Sequence, residues 1–214
     1  MANYTDNQAH DGWMHLDITS NQTSDDEDQA LAAGLAEGYL TATSITGYYR
    51  EYVHKEMCGV DPKFCEYIRA QFQENIEWTQ NILDSEEGRS SSYWKMVNLF
   101  HKQLEGLRLG WLIRAEKENT QVPPDFDVTW FPYFVNFYPD IGDYIYNYKQ
   151  FKNQSQSQIH FTVPSCSVLI KKTRDDILVG HATWHVYTSM SYRVLKRYNL
   201  NYHTVSGYLV HSQV

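Results

Sequence analysis

The sequence predicts an α+β fold in which a helix-rich portion, residues 1–158, precedes a strand-containing portion, residues 159–214. Two observations support this prediction. Apolar residues recur at helical spacing through three long segments between residues 25 and 111. Two apolar runs, CSVLIK and DILVGHATW, then flank the polar turn KTRDD, which is the pattern of a β-hairpin.

The first predicted helix covers residues 25–54, where apolar residues repeat every three or four positions. Ser24 and Glu27 form a capping-box pattern at its start. Gly34 and Gly38 lie about one turn apart within it, and we expect them to allow close packing against a sheet.

The second and third predicted helices are also defined by local signals. Asp61 followed by Pro62 is a cap and first-turn pair, and it predicts a helix over residues 62–84. The third helix follows the turn-prone SEEGRSSS and contains the regular apolar positions from Tyr93 to Trp111.

The rest of the chain is predicted to be less regular. Residues 117–127 indicate a loop, and TWFPYFVNFYPDIGDYIY indicates a short helix with an irregular continuation. NYKQFKNQSQSQ is poor in apolar residues, so we expect an exposed, mobile connection into the hairpin. Apolar positions beyond Trp184, up to Tyr198, suggest a final helix.

The composition excludes several classes of protein. The chain has 214 residues, of which 42% are hydrophobic and 15% aromatic, enough to build a core. Its net charge is -8 and it has no stripe of Lys and Arg, so we expect no nucleic-acid partner. The most apolar segment is shorter than the roughly 18 residues of a membrane span and contains Glu37, so we expect no transmembrane segment.

The three cysteines divide into a pair and a single residue. Cys58 and Cys65 flank the turn GVDPKF, whereas Cys166 lies far along the chain. A Cys58–Cys65 disulfide would close a short loop and contribute roughly 2.5 kcal/mol on the chain-entropy estimate. Two reduced cysteines are the alternative if the protein is cytosolic. The histidines show no paired spacing typical of a metal site, so we expect neither a metal nor a cofactor.

Three glycosylation sequons favour the secretory route. Asn3, Asn21 and Asn153 each begin an Asn-x-Ser/Thr triplet in a polar stretch. The segment MANYTDNQAHDGW has no apolar region typical of a secretory signal, and we expect such a leader upstream of Met1.

Several segments, in the same order along the chain, resemble the phospholipase B-like family, which includes lysosomal and lamina ancestor-type proteins. SCSVLIKK and DDILVGHATWHVYTSMSYRVLKRY resemble the family's CSALIK and AHNTW...Y..M.R..K segments. GWMHLDI resembles its GW..L.I strand and QALAAGLAEGYLT its Q..AAG..EG helix. YWKMVNLFHKQLEGLRLGW resembles its YW..V.....QL.GL..GY segment.

This resemblance implies the αββα sandwich of the N-terminal-nucleophile (Ntn) hydrolases, with this chain holding only part of it. It also implies that the bond between Ser165 and Cys166 breaks autocatalytically, which leaves Cys166 as a nucleophile with a free α-amine. An α-amine has a pKa of about 7.7–8.0, so it can accept the thiol proton. His181 matches the active-site histidine, which would orient or polarise the substrate carbonyl. A histidine that only satisfies a structural hydrogen bond is the alternative interpretation.

Other positions extend or depart from the family pattern. Thr183 and Trp184 continue the match. Both are candidate residues of the substrate pocket, but we expect Trp184 mainly to pack against neighbouring side chains. Ala182 stands where the family usually has Asn, and the hairpin turn is shorter than usual. The remaining strands and the oxyanion-hole residues are expected in a further portion of the same protein, beyond Val214. That further portion is therefore a predicted partner of this chain.

The predicted function of the complete protein, which is lysosomal or secreted, is hydrolysis of an acyl ester or amide bond in a small-molecule substrate. This chain alone is expected to be inactive. The family name points to phospholipid deacylation, and acyl amides are also suited to an Ntn site. The alternative is an inactive glycoprotein that keeps the fold as a binding protein. A papain-like protease fits poorly, because the residues around Cys166 do not match C-G-[SA]-C-[WY].

Overall fold

The computed structural model describes residues 1–137, 140–151, 165–184 and 191–210. Its strands are β1 (Ala2–Asp6), β2 (Met14–Thr19), β3 (Ser165–Lys172), β4 (Ile177–Trp184) and β5 (Val194–Asn199). Its helices are α1 (Gln8–Asp11), α2 (Asp26–Leu40), α3 (Ala42–Tyr48), a π-helical segment (Tyr49–Cys58), α4 (Pro62–Leu83), α5 (Glu86–Ser90), α6 (Ser92–Glu118), α7 (Phe131–Phe137) and α8 (Ile141–Phe151).

A three-stranded sheet has the order β1-β2-β5, with β1 antiparallel and β5 parallel to β2. Alternate residues of β2, namely Met14, Leu16 and Ile18, are buried, as expected for a strand with one face on a core. Leu16 and Ile18 pack with Ala33 of α2. The strand expected in GWMHLDI is confirmed, whereas the mostly exposed and polar β1 was not predicted.

The final helix predicted beyond Trp184 is wrong over residues 194–199, which form β5. Residues 185–190 of that prediction lie outside the described residues. Val194, Leu195 and Tyr198 fit helical spacing, but backbone hydrogen bonding to β2 selects the extended conformation instead. That pairing is between residues about 180 positions apart, so a local pattern does not reveal it.

The first predicted helix is divided in the structure. α2 ends before Thr41, α3 follows it, and the chain then continues as the π-helical segment to Cys58. The buried Thr41 hydroxyl donates to the carbonyl of Glu37 at 2.7 Å, a side-chain bond that competes with regular helix geometry. The N-cap is Asp25 and not Ser24, because the Asp25 carboxylate accepts from the backbone N–H of Glu27 at 2.8 Å.

The closest packing in the helical layer is between α2 and α6. A β-carbon at Gly34 would lie 1.9 Å from the carbonyl oxygen of Gln103, and one at Gly106 would lie 2.1 Å from that of Leu31. Gly38 and Gly110 make equivalent approaches. The expected close packing of the α2 glycines is therefore confirmed, but the partner is a helix and not a sheet.

The second and third predicted helices are confirmed as α4 and α6. The Asp61 carboxylate accepts from the backbone N–H of Phe64 at 3.1 Å, and Pro62 is the first residue of α4. α6 begins after the capping hydroxyl of Ser91 and ends at Asn119, which has a left-handed backbone with φ of 50°. α6 therefore extends two residues, Lys117 and Glu118, into the segment predicted as a loop.

An aromatic core joins the π-helical segment to α4, α6, α7 and α8. The irregular continuation predicted after α7 is wrong, because residues 141–151 form α8. The exposed connection predicted from residue 147 is wrong for Tyr148, which is only 3% exposed and packs on Phe64 and Tyr67. Residues 152–158 of that connection are outside the described part of the chain. The largest fully buried aromatic side chains of this core are Tyr49, Phe64, Phe131 and Phe134.

Candidate active site

β3 and β4 form the antiparallel hairpin that carries the predicted catalytic residues. Two hydrogen bonds close its turn. The backbone N–H of Thr173 donates to the carbonyl of Asp176 at 2.8 Å, and the backbone N–H of Asp176 donates to the hydroxyl of Thr173 at 3.0 Å. In the strand register Cys166 is opposite Thr183, and Val168 is opposite His181. The hairpin predicted around KTRDD is therefore confirmed.

Cys166 and His181 lie on the same face of this hairpin. Directly paired residues share a face in an antiparallel ladder, and so do residues two apart on one strand. Cys166 is consequently a diagonal neighbour of His181, at a typical separation of about 7–8 Å. Both are exposed, Cys166 is a free thiol, and no hydrogen bond joins the two described side chains. One carbonyl group held between them could contact both.

The other predicted site positions occupy the open end of the hairpin. Ser165 is the first residue of β3, and its partner in the register is Trp184, the last residue of β4. The Ser165–Cys166 peptide bond thus lies beside the Thr183–Trp184 end of the neighbouring strand. Ala182 pairs with Ser167 and so belongs to the face opposite Cys166. Ala182 in place of the family's usual Asn therefore does not alter the face shared by Cys166 and His181.

Both faces of the hairpin are apolar and exposed. Val168 and Ile170 accompany Cys166 on one face, and Leu169 and Leu178 lie on the other. These four side chains are between 53% and 71% exposed. Within the described part of the chain, β3 and β4 make their main contacts with each other. Strands that are apolar on both faces are typical of a sheet covered on both sides.

The predicted disulfide between Cys58 and Cys65 is confirmed, and both cysteines are buried. It ties the end of the π-helical segment to the first turn of α4. Asn3 is exposed on β1, and Asn21 is exposed with its Oδ1 accepting from the hydroxyl of Thr23 at 3.1 Å. Their glycosylation stays a prediction, and Asn153 lies outside the described residues.

A buried carboxylate that sequence reasoning treated only as a break in an apolar run joins α2 to β5. Glu37 accepts from Lys196 and from the hydroxyl of Tyr198, both at 2.5 Å, at the side of a cavity of about 340 Å³. Burial and the Glu37 carboxylate raise the pKa of Tyr198 far above its ordinary value. The signal available in the sequence was a single acidic residue within the apolar stretch of α2.

A second cluster was also missed. Asp26 is 7% exposed, forms an ion pair with Lys95 at 2.6 Å and lies 3.0 Å from Nδ1 of His203. Burial opposes ionisation of Asp26, but hydrogen bonds from Lys95 and His203 outweigh it and hold the pKa of Asp26 below its ordinary value. This cluster fastens the segment after β5 to the start of α2.

No three His, Cys, Asp or Glu side chains among the described residues are arranged to hold a metal ion. None of the helices that the structure describes is both long enough and apolar enough to cross a bilayer.

Comparison with known proteins covers nearly all of the chain. The sequence model of the phospholipase B family matches residues 1–212. The chain is 27% identical to a phospholipase B-like lamina ancestor protein of Drosophila melanogaster over 94% of its length, and 30% identical to phospholipase B-like 2 of Bos taurus over 92%. It is 27% identical to phospholipase B-like 1 of Homo sapiens over 89%. The matches cover 33%, 32% and 34% of those proteins, so the chain spans about a third of their length.

Proposed function

The chain belongs to the phospholipase B family, and on that basis we propose that it carries the nucleophile of an Ntn hydrolase that cleaves acyl ester or amide bonds. The observation that supports this most directly is the shared face of Cys166 and His181 beside the open end of the hairpin. The roles are those that the resemblance of the surrounding motifs implies, and the position of the two residues on one face supports their joint action on one substrate group. The αββα sandwich is part of the same proposal.

The first proposed step is self-cleavage. The thiol of Cys166 attacks the carbonyl carbon of Ser165, the bond to the Cys166 nitrogen breaks, and that nitrogen takes a proton as the acyl group moves to sulfur. Water then attacks the thioester, which releases Ser165 as a carboxylate and leaves Cys166 with a thiol and a free α-amine. The nucleophile and its base thereby come from one residue.

The second proposed step is turnover. The α-amine accepts the thiol proton, and the thiolate attacks the acyl carbonyl of the substrate while His181 polarises or orients that carbonyl. The leaving alcohol or amine takes the proton, and water hydrolyses the thioester to a carboxylic acid. Phospholipids and fatty acyl amides are the proposed substrates, and both steps require oxyanion donors.

The exposed sequons and the Cys58–Cys65 disulfide support a secreted or lysosomal location as part of this proposal. Disulfides persist in oxidising compartments, and N-linked glycans are added along the secretory route.

Intact-mass measurement tests the proposal. The full-length protein, in which the oxyanion donors are expected, is incubated at about pH 5, near the lysosomal range in which His-containing sites change charge, and is compared with its Cys166→Ala variant. We expect the original protein to be cleaved between Ser165 and Cys166 and the variant to stay whole. Cleavage of both would show that Cys166 is not the nucleophile.

The same samples distinguish the second candidate, a catalytically inactive binding protein. Two departures from the family pattern, Ala182 in place of the usual Asn and the shorter hairpin turn, favour this alternative, although Ala182 lies on the face opposite Cys166. A full-length protein that stays whole and releases no acid from either a phospholipid or an acyl amide would support it and overturn the hydrolase.

A further inference from the structure

A cavity of about 360 Å³ lies between α4, α6 and α7, on elements other than the β3–β4 hairpin. Its volume is near the lower end of the range of about 300–1,000 Å³ typical of ligand pockets, so it suits one small molecule or the end of a larger one. Its lining combines hydrogen-bonding side chains with two aromatic rings. These lining residues include Thr79, His101, Glu105, Arg108, Trp130 and Tyr133.

Thr79 of α4 is a buried polar residue in this lining, and its side chain is only 5% exposed. Two other buried threonines, Thr41 and Thr46, donate their hydroxyl protons to the carbonyl four residues earlier, at 2.7 and 2.8 Å. The hydroxyl of Thr79 has neither such a bond nor any other hydrogen-bond partner within the described part of the chain. A buried hydroxyl without a partner is destabilising, and a polar ligand in the cavity would provide the partner.

The charged residues of the lining are also unpaired. Arg108 has no ion pair or hydrogen bond among the described residues, and no ion pair joins it to Glu105, three positions earlier on α6. Burial lowers the pKa of His101, which therefore lines the cavity as a neutral imidazole with one donor and one acceptor. The lining consequently offers both donors and acceptors to a ligand.

The rings of Trp130 and Tyr133 add an apolar surface to the same cavity. Their centroids are 5.7 Å apart, and the Trp130 ring also packs on Phe72 of α4 with centroids 6.1 Å apart. Both side chains are half-buried, so part of each ring can contact a ligand. The C–H groups on one face of a pyranose ring carry partial positive charge, and they pack favourably on the negative face of an aromatic ring.

A neutral sugar matches this lining better than a simple ion does. Each sugar hydroxyl both donates and accepts, so one ring can bond to Arg108 and to Glu105. A simple anion would be attracted by Arg108 but repelled by Glu105 and by the net charge of -8 of the whole chain. The cavity beside Glu37 differs, because Lys196 and Tyr198 already satisfy that carboxylate.

We propose that the cavity between α4, α6 and α7 binds a neutral pyranose sugar, either free or at the end of a glycan. The sugar ring packs on Trp130 and Tyr133, and its hydroxyl groups bond to Thr79, Arg108 and Glu105. The cavity contains no residue of the β3–β4 hairpin, so this proposal stands or fails separately from the proposed hydrolysis.

NMR titration with methyl glycosides tests this site. The purified chain is titrated with the methyl glycosides of mannose, galactose and N-acetylglucosamine, and saturation transfer to the sugar protons reports their contact with aromatic rings. We expect saturable binding of at least one of these glycosides. Absence of saturable binding to all of them, or saturable binding of inorganic phosphate in their place, would overturn the proposal.

The Thr79→Val variant separates binding from a structural role. Valine has nearly the shape of threonine but lacks the hydroxyl, so we expect the affinity for the glycoside to fall about fivefold. The unfolding temperature should stay equal or rise, because the hydroxyl has no partner in the free chain. A lower unfolding temperature with unchanged affinity would show that Thr79 serves only stability and would overturn the proposal.

A second variant and a control complete the test. Arg108→Gln should weaken glycoside binding by about tenfold, because the charged donors of the guanidinium are lost. Thr43→Val, at an exposed position of α3, makes the same chemical change as Thr79→Val away from the cavity and should bind as the original chain does. Equal affinity of the original chain, Thr79→Val and Arg108→Gln would overturn the assignment of the site to this cavity.

A glycopeptide that ends in the best-bound sugar identifies the source of the ligand. Its affinity is compared with that of the methyl glycoside. Equal or tighter binding of the glycopeptide indicates the end of a glycan, whereas weaker binding indicates a free sugar as the ligand.

Discussion

Cys166 is a free and exposed thiol on a strand, and no hydrogen bond joins it to His181, its diagonal neighbour among the described residues. Thiol reactivity depends on the thiolate, which usually requires a nearby base or cation. The Ntn proposal provides the base from the α-amine of the same residue, and this explains why peptide-bond cleavage must precede turnover. The strand register fixes the relation of Cys166 to His181 before that cleavage.

His101 makes the stability of the fold depend on pH. Burial lowers the pKa of His101 below its ordinary value of 6.5, because the charged imidazolium is poorly solvated between α4, α6 and α7. Because the pKa of His101 is lower in the folded than in the unfolded chain, neutral His101 contributes to the free energy of unfolding above about pH 6.5. This contribution is lost as the pH falls through the pKa of His101 in the folded state. Acidification therefore favours the unfolded chain, which takes up the proton first.

We expect the His101→Gln variant to lose less stability than the original chain between pH 7 and pH 5. Thermal unfolding at several pH values measures this difference, with His10→Gln in the exposed α1 as the matched control. If the unfolding temperatures of the original chain and of His101→Gln changed equally with pH, burial of His101 would not contribute to the pH dependence of stability.

At the scale of elements, α2 and α6 depend on glycine at their crossing. We expect Gly34→Ala to lower the free energy of unfolding by about 1–3 kcal/mol or more, because the new methyl group meets a backbone oxygen that cannot move cheaply. This loss exceeds the roughly 1 kcal/mol that alanine gains in helix propensity. Urea unfolding followed by helical circular dichroism measures the change.

Gly180→Ala is the control for that experiment, since a β-carbon there meets nothing within 4 Å. Its urea midpoint should equal that of the original chain. If Gly34→Ala also unfolded at the original midpoint, the close approach of the two helices would not contribute to stability.

The disulfide joins two elements whose packing also buries it. We expect replacement of both Cys58 and Cys65 by alanine to lower the free energy of unfolding by about 2–4 kcal/mol, since the short loop is no longer closed and two buried sulfur atoms are lost. Cys166→Ala removes the same atom from an exposed position and should have no effect. Equal stability of the double variant and this control would contradict the expectation.

At the scale of the whole molecule, the helical layer and the hairpin differ in how much of their surface is covered. α2 and α6 bury their contact face, whereas β3 and β4 expose apolar side chains on both faces. Hydrogen exchange should therefore be fast in the hairpin and slow in α2 and α6 of this chain. Mass spectrometry of deuterium uptake measures this, and equal protection of the two regions would mean that the hairpin is covered.

The helices with strong local signals could be predicted from the sequence. Asp61 and Pro62 fix the start of α4, and the regular apolar spacing after Tyr93 fixes α6, because helix hydrogen bonds join residues close in the chain. The hairpin and the pairing of Cys58 with Cys65 were accessible for the same reason. The motifs around Cys166 and His181 then indicated the family.

Tertiary structure decided what depends on distant residues. β5 is a strand because it pairs with β2 across most of the chain, and α2 packs on α6 because glycines from both helices meet. The cavity that contains Arg108 exists only where α4, α6 and α7 come together. Local spacing records which backbone conformations are favourable, but the burial of a charge or the choice of a strand partner depends on contacts that form only in the folded chain.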